Sequence, residues 1–356
     1  MTKVYIIAEA GVNHNGSVTL AREMINLAAD TGVDAVKFQT FIAEEVIGRR
    51  ALKAPYQERL TLTGESQLEM VQKLQLDDNQ HQELLDLCQS RGLDFISTPF
   101  DLASVDLLAY RLRLPRLKVA SGEITNAPLL LKIARSGAKI ILSTGMCSLG
   151  EIEAALAVIA FGYCTRDAAP SRTAFQKSYS SPEGQKALQQ KVTLLHCTSE
   201  YPAPFEDINL LAMDTLRQSF GLPVGYSDHS QGITIPIAAA ARGTALIEKH
   251  FTLDRNLPGP DHQASLAPAE LKEMVRSIRE VEVALGSPRK IATPSELENI
   301  PFVRKSLVAK KNIEKGDVLT EDNLGIKRPG GGIEPARYWD YLGLKAKKAY
   351  ETDEGI

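Results

Sequence analysis

Short runs of β-branched and other apolar residues alternate with amphipathic segments along the chain up to Leu285. The runs predict eight strands: Val4–Ala8, Ala35–Phe38, Phe95–Ser97, Leu117–Ala120, Lys139–Leu142, Val192–Leu195, Pro223–Gly225 and Ala245–Ile247. Apolar residues at helical spacing predict the intervening helices: Val18–Thr31, Asn79–Arg91, Ser104–Tyr110, Pro128–Ser136, Leu149–Ala160, Leu210–Phe220, Thr234–Arg242 and Pro268–Leu285. A strand followed by a helix, repeated eight times, is typical of a closed (β/α)8 barrel of the α/β class.

Polar residues at the ends of the predicted strands favour this barrel over an open, doubly wound sheet. The C-terminal ends of barrel strands meet at one mouth, whereas an open sheet places its site at one crevice. No G-x-G-x-x-G motif follows the first strand, so the main signature of a dinucleotide-binding sheet is missing. The strand-end residues are Glu9, Lys37, Gln39, Thr98, Ser121, Glu123, Ser143, Thr198, Ser199, Ser227, His229, Glu248 and His250.

The chain is predicted to contain a second, smaller domain. We expect the barrel domain to cover residues 1–286, a Pro-containing linker to cover 287–303, and a compact domain to cover 304–356. A unit of about 50 residues has a marginal core, so it should lean on another surface, for which a partner chain is one candidate. The segment Tyr163–Gln190 interrupts the barrel pattern, and we expect it to be a peripheral insertion on the face opposite the mouth.

Composition excludes some classes of function. Lys plus Arg number 41 and Asp plus Glu number 44, a formal charge of −3, which is unlike the basic balance of a nucleic-acid-binding protein. Apolar runs are far shorter than the roughly 18 residues that a membrane helix needs. The four cysteines are not closely paired, and we expect them to be reduced. These features predict a cytoplasmic protein without nucleic-acid or membrane partners.

Two histidines suggest a metal site. His229 and His250 end the seventh and eighth predicted strands, which are neighbours in a closed barrel, so the two imidazoles could share an ion. Either histidine alone could instead be a hydrogen-bonded structural residue. Because residues i and i+2 of a strand share a face, Glu248 should point with His250, and Ser227 with His229. Glu248 could alternatively serve only as the partner of a lysine.

Lysines and hydroxyl groups predict an anion site at the same mouth. Lysine supplies charge and hydroxyls supply directed donors, which together can hold the oxygens of a phosphorylated anion. Each Ser or Thr alone could be a strand-end cap, and only their repetition favours binding. The set consists of Lys37, Thr98, Lys118, Ser121, Ser143, Thr198, Ser199 and Ser227.

A series of motifs resembles the bacterial sialic acid synthase (N-acetylneuraminate synthase) family. In the barrel these motifs are Ala8–Gly16, Val36–Thr40, Ser97–Asp101, Ala120–Glu123, Ser143–Met146, His196–Pro202, Gly225–His229, Ile247–Thr252 and Gly259–His262. Near the C-terminus, Lys305–Ala309 and Lys327–Gly330 resemble the antifreeze-like SAF domain, a β-clip fold. The resemblance therefore implies a TIM barrel followed by a SAF domain.

The resemblance also implies a reaction: metal-dependent condensation of phosphoenolpyruvate with N-acetylmannosamine to give N-acetylneuraminate and phosphate. It implies that His229 and His250 bind Mn²⁺, with Mg²⁺ and Co²⁺ as alternatives. The lysines and hydroxyls of the predicted anion site would hold phosphoenolpyruvate. The catalytic candidates are Glu248, Glu123 and Glu9, and the residues alone do not say which glutamate activates water.

The family further implies a domain-swapped homodimer in which the SAF domain reaches the partner's barrel. The residues expected to meet the sugar are Gln39, Asp261, Phe302 and Arg328. An N,N′-diacetyllegionaminate or pseudaminate synthase, acting on a diacetamido-trideoxyhexose, would carry the same barrel and metal site. The stretch Glu65–Met70 resembles both the neuraminate and the legionaminate branch, so we favour N-acetylmannosamine only slightly. A non-catalytic carbohydrate-binding protein is the alternative from another class.

Overall fold

A computed structural model describes residues 3–53, 64–328 and 331–356. The chain divides into two compact units, Met1–Gly286 and Ser287–Ile356. No helix in the described part of the chain is long and apolar enough to cross a membrane.

The first unit is built on eight parallel strands. They are β1 (Tyr5–Gly11), β2 (Ala35–Thr40), β3 (Asp94–Pro99), β4 (Arg116–Val119), β5 (Lys139–Ser143), β6 (Val192–His196), β7 (Val224–Asp228) and β8 (Leu246–His250). Their order is β3-β2-β1-β8-β7-β6-β5-β4, and β3 also contacts β4, which brings the ends of the sheet together. The predicted barrel is thereby confirmed.

Helices follow the strands in the predicted alternation. They are α1 (Val18–Thr31), α2 (Ala43–Val46), α3 (Gln67–Gln72), α4 (Asp78–Ser90), α5 (Leu102–Val105), α6 (Ala127–Ser136), α7 (Leu149–Cys164), α8 (Arg172–Tyr179), α9 (Pro182–Lys191), α10 (Ala212–Phe220), α11 (Thr234–Ala241) and α12 (Pro268–Leu285). The predicted helix Ser104–Tyr110 is instead α5 followed by a π-helical turn, Asp106–Arg111. The insertion after α7 contains α8 and α9, which pack on α7.

The barrel interior has an apolar layer beneath a polar one. Its apolar layer consists of Ile7, Ala35, Ile96, Ile141, Leu195 and Leu246, each 5% exposed or less. Two residues further along each strand, the side chain points to the same side of the sheet. The next inward residues on β1, β2 and β8 are therefore Glu9, Lys37 and Glu248. Strand alternation thus places the polar groups directly above the apolar layer, towards the C-terminal ends.

The second unit contains the antiparallel pair β9 (Ser306–Ala309) and β10 (Leu324–Lys327), with helices α13 (Pro294–Val303) and α14 (Tyr338–Tyr341). Its small core is formed by Ala309, Ile313, Leu319, Ala346 and Tyr350. Helix α13 lies within the segment expected to be a linker. Thr293 caps it and Glu296 completes a capping box, so its start follows from local sequence.

Candidate active site

A cavity of 410 Å³ opens at the C-terminal ends of the barrel strands. It brings together most of the residues predicted for the site from separate parts of the sequence. Those that line it are Glu9, Lys37, Gln39, Thr98, Lys118, Ser121, Ser143, Ser199, Ser227, His229, Glu248, His250 and Asp261. This is the position that the barrel fold predicts for an active site.

Two buried lysines and two buried glutamates form a charge network at the base of the cavity. Lys37 Nζ lies 2.8 Å from Glu9 Oε1 and 3.7 Å from Glu248 Oε2. Lys118 Nζ lies 3.3 Å from Glu248 Oε1, which also accepts a 2.9 Å hydrogen bond from Ser227. All four charged side chains are 5% exposed or less. The predicted basic site is thus balanced by carboxylates and carries little net charge when both glutamates are ionised.

The two carboxylates differ in their environments. Burial raises the pKa of Glu9 to about 7, because the single close ammonium of Lys37 does not offset it. Burial acts on Glu248 in the same direction, but Lys118 and Lys37 outweigh it and hold the pKa of Glu248 at about 2. Glu248 is therefore ionised at neutral pH, whereas Glu9 can exchange a proton near neutrality. This difference in pKa suits a site in which Glu248 stabilises charge and Glu9 transfers a proton.

Hydroxyl groups line the side of the cavity next to Lys118. Ser121 Oγ accepts a hydrogen bond from the backbone N–H of Gly145 at 3.1 Å. A Cβ added to Gly145 would lie 2.4 Å from Ser199 Oγ and 2.9 Å from Ser121 Oγ. A side chain at this position would displace both hydroxyls, so the glycine leaves room for the hydroxyls that follow β4 and β6.

The two predicted metal ligands face one cavity from adjacent strands. The ring centroids of His229 and His250 are 5.7 Å apart. His229 Nδ1 bonds the carbonyl oxygen of Thr198 at 2.6 Å, which leaves Nε2 as its outward nitrogen, 3.1 Å from Tyr201 Oη. His250 Nδ1 is buried and has no hydrogen-bond partner. An unpaired buried imidazole nitrogen is costly unless a ligand satisfies it.

These observations fit a divalent ion. Burial lowers the pKa of His229 to about 4 and that of His250 well below its usual value, so both rings are neutral, as metal ligation requires. Within the described residues, no group of three or more His, Cys, Asp or Glu side chains is arranged to hold an ion. The two histidines would thus supply a partial ligand set, completed by substrate or water.

A second ion pair fixes the outer side of the same two strands. Lys249 Nζ bonds Asp228 Oδ2 at 2.6 Å, and both side chains are fully buried. Asp228 Oδ1 accepts hydrogen bonds from the N–H of Ser230 at 3.0 Å and from its hydroxyl at 2.8 Å. Asp228 and Lys249 are paired in the register of β7 and β8. Asp228 directly precedes His229 in the sequence, and Lys249 directly precedes His250. The pair therefore links the strand segments that present both histidines.

Asp261 reaches the cavity from the loop after β8. Asn13 Nδ2 donates to Phe251 O at 2.8 Å and to Ser265 Oγ at 2.9 Å, and that hydroxyl donates to Asp261 O at 2.7 Å. Burial raises the pKa of Asp261 to about 6. The loop after β1 thus anchors the loop that carries a predicted sugar contact.

Four predicted site residues do not line the cavity of the barrel unit. Glu123 accepts a 2.7 Å hydrogen bond from Asn126, and the Thr198 hydroxyl donates to Asp207 O at 3.2 Å. Phe302 and Arg328 belong to the second unit and are exposed. The motif residues Pro329 and Gly330 lie outside the described residues. The roles of Phe302 and Arg328 in a homodimer remain predictions.

Sequence reasoning missed the apolar half of the cavity. We use the name apolar wall for six of its side chains: Val12, Phe41, Ile47, Met70, Val71 and Leu74. Gln67 lines the cavity in the same region, and its Oε1 is buried without a hydrogen-bond partner. Tyr201, next to His229, was also missed as a site residue. Tyr201 lies within the motif His196–Pro202, so its motif was identified although its place in the site was not. The wall lies mostly in the segment after β2, where the strand–helix pattern of a barrel predicts no site residues.

Comparisons with known proteins agree with this geometry. The NeuB family matches residues 24–290, and the SAF domain matches residues 304–356. An N,N′-diacetyllegionaminic acid synthase of Campylobacter jejuni is 52% identical over 356 residues, covering 100% of this chain and 99% of the relative. The N-acetylneuraminate-9-phosphate synthase of Homo sapiens is 35% identical and covers 99% of this chain and 91% of its own.

A solved structure supports the same assignment. The crystal structure of an N-acetylneuraminic acid synthetase from Leptospira borgpetersenii has a TM-score of 0.68 and 35% identity, covering 84% of this chain and 90% of its own. The predicted family and the C-terminal SAF domain are both confirmed. The chain therefore belongs to the NeuB family and ends in a SAF domain.

Proposed function

We propose that the protein is an N,N′-diacetyllegionaminate synthase, which condenses phosphoenolpyruvate with a 2,4-diacetamido-2,4,6-trideoxyhexose and releases phosphate. Its family makes it an enzyme, a carbon–carbon bond-forming synthase of nonulosonic acids. The observation that carries the choice of sugar is the 52% identity to the Campylobacter jejuni synthase along the whole chain. N-acetylmannosamine, which the sequence slightly favoured, has weaker support, since the N-acetylneuraminic acid synthetase of Leptospira borgpetersenii is 35% identical over 84% of this chain.

The polar half of the cavity suits phosphoenolpyruvate. Lys37 and Lys118 would donate charge-assisted hydrogen bonds to its carboxylate and phosphate oxygens. Thr98, Ser121, Ser143, Ser199 and Ser227 would add directed donors from five strands or strand ends. Because both lysines are already held by carboxylates, they keep fixed positions before the substrate arrives, and binding requires little rearrangement.

His229 and His250 would hold a divalent ion, with Mn²⁺ as the first choice. Such an ion supplies Lewis-acid polarisation of the sugar aldehyde when bound. Asp261 and Gln39 would orient the sugar by hydrogen bonds to its hydroxyl groups. Glu9, with its pKa near 7, is suited to taking up or releasing the proton exchanged at the aldehyde oxygen or at water. Glu248 would stay ionised and fix both lysines.

The choice of sugar is tested by steady-state kinetics. We expect kcat/KM for 2,4-diacetamido-2,4,6-trideoxymannose to exceed that for N-acetylmannosamine at least tenfold, since one methyl or methylene contact in a pocket discriminates about 10- to 200-fold. Phosphate release with each sugar, at saturating phosphoenolpyruvate, measures the ratio. Equal values, or a preference for N-acetylmannosamine, would contradict the proposed function.

The metal proposal has a readout that does not depend on turnover. We expect His250→Ala to weaken Mn²⁺ binding at least tenfold in titration calorimetry, because it removes a donor that the chain does not replace. His196→Ala is the matched control, since His196 bonds Ile208 O and does not line the cavity. Unchanged Mn²⁺ affinity in His250→Ala would refute the assignment of this residue as a ligand.

A further inference from the structure

The side of the cavity formed by the apolar wall and Gln67 has a chemistry that differs from the charge network. We propose that this side is the subsite for the 4-acetamido group and the C6 methyl group of the sugar, with Gln67 Oε1 accepting the amide N–H. The inference rests on the proposed function and deepens it, because it names the residues that select the sugar.

Gln67 Oε1 is a hydrogen-bond acceptor without a donor. The atom is buried in the wall of the cavity and has no hydrogen-bond partner. Leaving a buried carbonyl oxygen unpaired costs free energy, so native proteins pair nearly all such atoms with a partner. A carbonyl oxygen can be paired only by a donor, and because Gln67 lines the cavity, a small turn of its amide would bring this oxygen to a donor on the ligand. The amide N–H of an acetamido group is a donor of this kind.

The apolar wall indicates which sugar substituents should lie next to the amide N–H. Phe41 and Met70 line the cavity and are only 7% and 5% exposed, so this part of the lining is apolar and largely shielded from solvent by protein. A sugar hydroxyl placed there would lose its hydrogen bonds to water without replacement, whereas a methyl group would gain by burial. A 2,4-diacetamido-2,4,6-trideoxyhexose has two methyl groups that N-acetylmannosamine lacks, one on the second acetyl group and one at C6.

The position of the anion leaves this side free for the sugar. Phosphoenolpyruvate needs Lys37 and Lys118, which lie with Glu9 and Glu248 at the base of the cavity. The carbon atoms of the sugar that do not react must then extend away from the lysines. The remaining lining includes the apolar wall and Gln67, so these residues are among those that can contact C4 and C6.

A cycle of two proteins and two sugars tests the hydrogen bond. Gln67→Met keeps the length of the side chain and removes the acceptor. We expect it to lower kcat/KM about tenfold for 2,4-diacetamido-2,4,6-trideoxymannose, and less than twofold for the analogue that lacks the 4-acetamido group. Gln72→Met is the matched control: Gln72 lies on the same helix, outside the cavity lining, and donates to Glu44. It should change neither value.

A second variant tests the wall. Val71→Thr replaces a methyl group by a hydroxyl of similar size, and we expect it to reduce the preference for the diacetamido sugar over N-acetylmannosamine about tenfold. If the wild-type protein shows no such preference, the proposed function fails and the inference fails with it. If the preference is present but Gln67→Met lowers kcat/KM equally for both sugars of the cycle, or for neither, the inference alone is overturned. An unchanged preference in Val71→Thr likewise removes the role of the wall.

Discussion

Glu248→Gln should lower kcat/KM for phosphoenolpyruvate by about a hundredfold to ten-thousandfold, the factor that corresponds to the roughly 3–5 kcal/mol lost when one partner of a buried ion pair is removed. Glu248 contacts Lys118 at 3.3 Å, Lys37 at 3.7 Å and Ser227 at 2.9 Å, so it connects three residues assigned to phosphoenolpyruvate. A neutral amide cannot balance two buried ammonium groups. The lysines should therefore lose protons or move apart, and either change removes the arrangement that binds the anion.

Steady-state kinetics with circular dichroism as a check on folding measures this effect. Glu282→Gln is the matched control, because Glu282 is likewise paired with a basic side chain, that of Arg279, but is only partly buried and lies on α12, outside the cavity. It should keep kcat/KM for phosphoenolpyruvate within about twofold, because neither member of its ion pair lines the cavity. A folded Glu248→Gln protein with the wild-type kcat/KM for phosphoenolpyruvate would contradict the assigned role.

The second large effect concerns stability. Lys249→Met should destabilise the barrel by about 3–5 kcal/mol, because it leaves the fully buried carboxylate of Asp228 without its counter-charge. The ammonium group also donates to the carbonyl oxygen of Ser230, which would lose this donor. The result should appear as a marked fall in the thermal unfolding midpoint.

The double variant Asp228→Asn/Lys249→Met distinguishes the effect of an unpaired buried charge from the effect of the changed side-chain shape. The introduced amide would keep an oxygen acceptor for Tyr226 and Ser230, while neither buried charge would remain. Replacing both partners of a buried ion pair is often close to neutral, so most of the lost stability should return. A double variant as unstable as Lys249→Met, or a single variant that loses less than about 1 kcal/mol, would show that the pair does not act in this way.

The sequence was sufficient to predict the barrel but placed the strand ends too early. The predicted strands Pro223–Gly225 and Ala245–Ile247 are Val224–Asp228 and Leu246–His250 in the structure. The prediction ended each strand where its apolar run stopped and assigned the polar residues that follow to a loop. In the folded protein they remain in the strands, because Ser227 pairs with Glu248 and Asp228 with Lys249 across the sheet.

The polar half of the site was also accessible from sequence, because strand alternation and strand order fix which residues point into a barrel. The apolar wall was not, since five of its six residues lie between β2 and α4, where Val71 and Leu74 look like ordinary core residues. Their role as cavity residues depends on their position beside the barrel mouth in three dimensions, which the sequence pattern does not give. The orphaned oxygen of Gln67 is likewise a property of packing, and no residue type or spacing reveals it.

The apolar wall and the charge network are distributed differently along the chain. The network draws Glu9, Lys37, Lys118 and Glu248 from four separate strands, so a change in one of them affects all the others. Five of the six wall residues come from the single stretch between β2 and α4. On the proposed assignment, exchange of that one segment would change the acceptor sugar while the charge network, and with it the reaction, stayed intact.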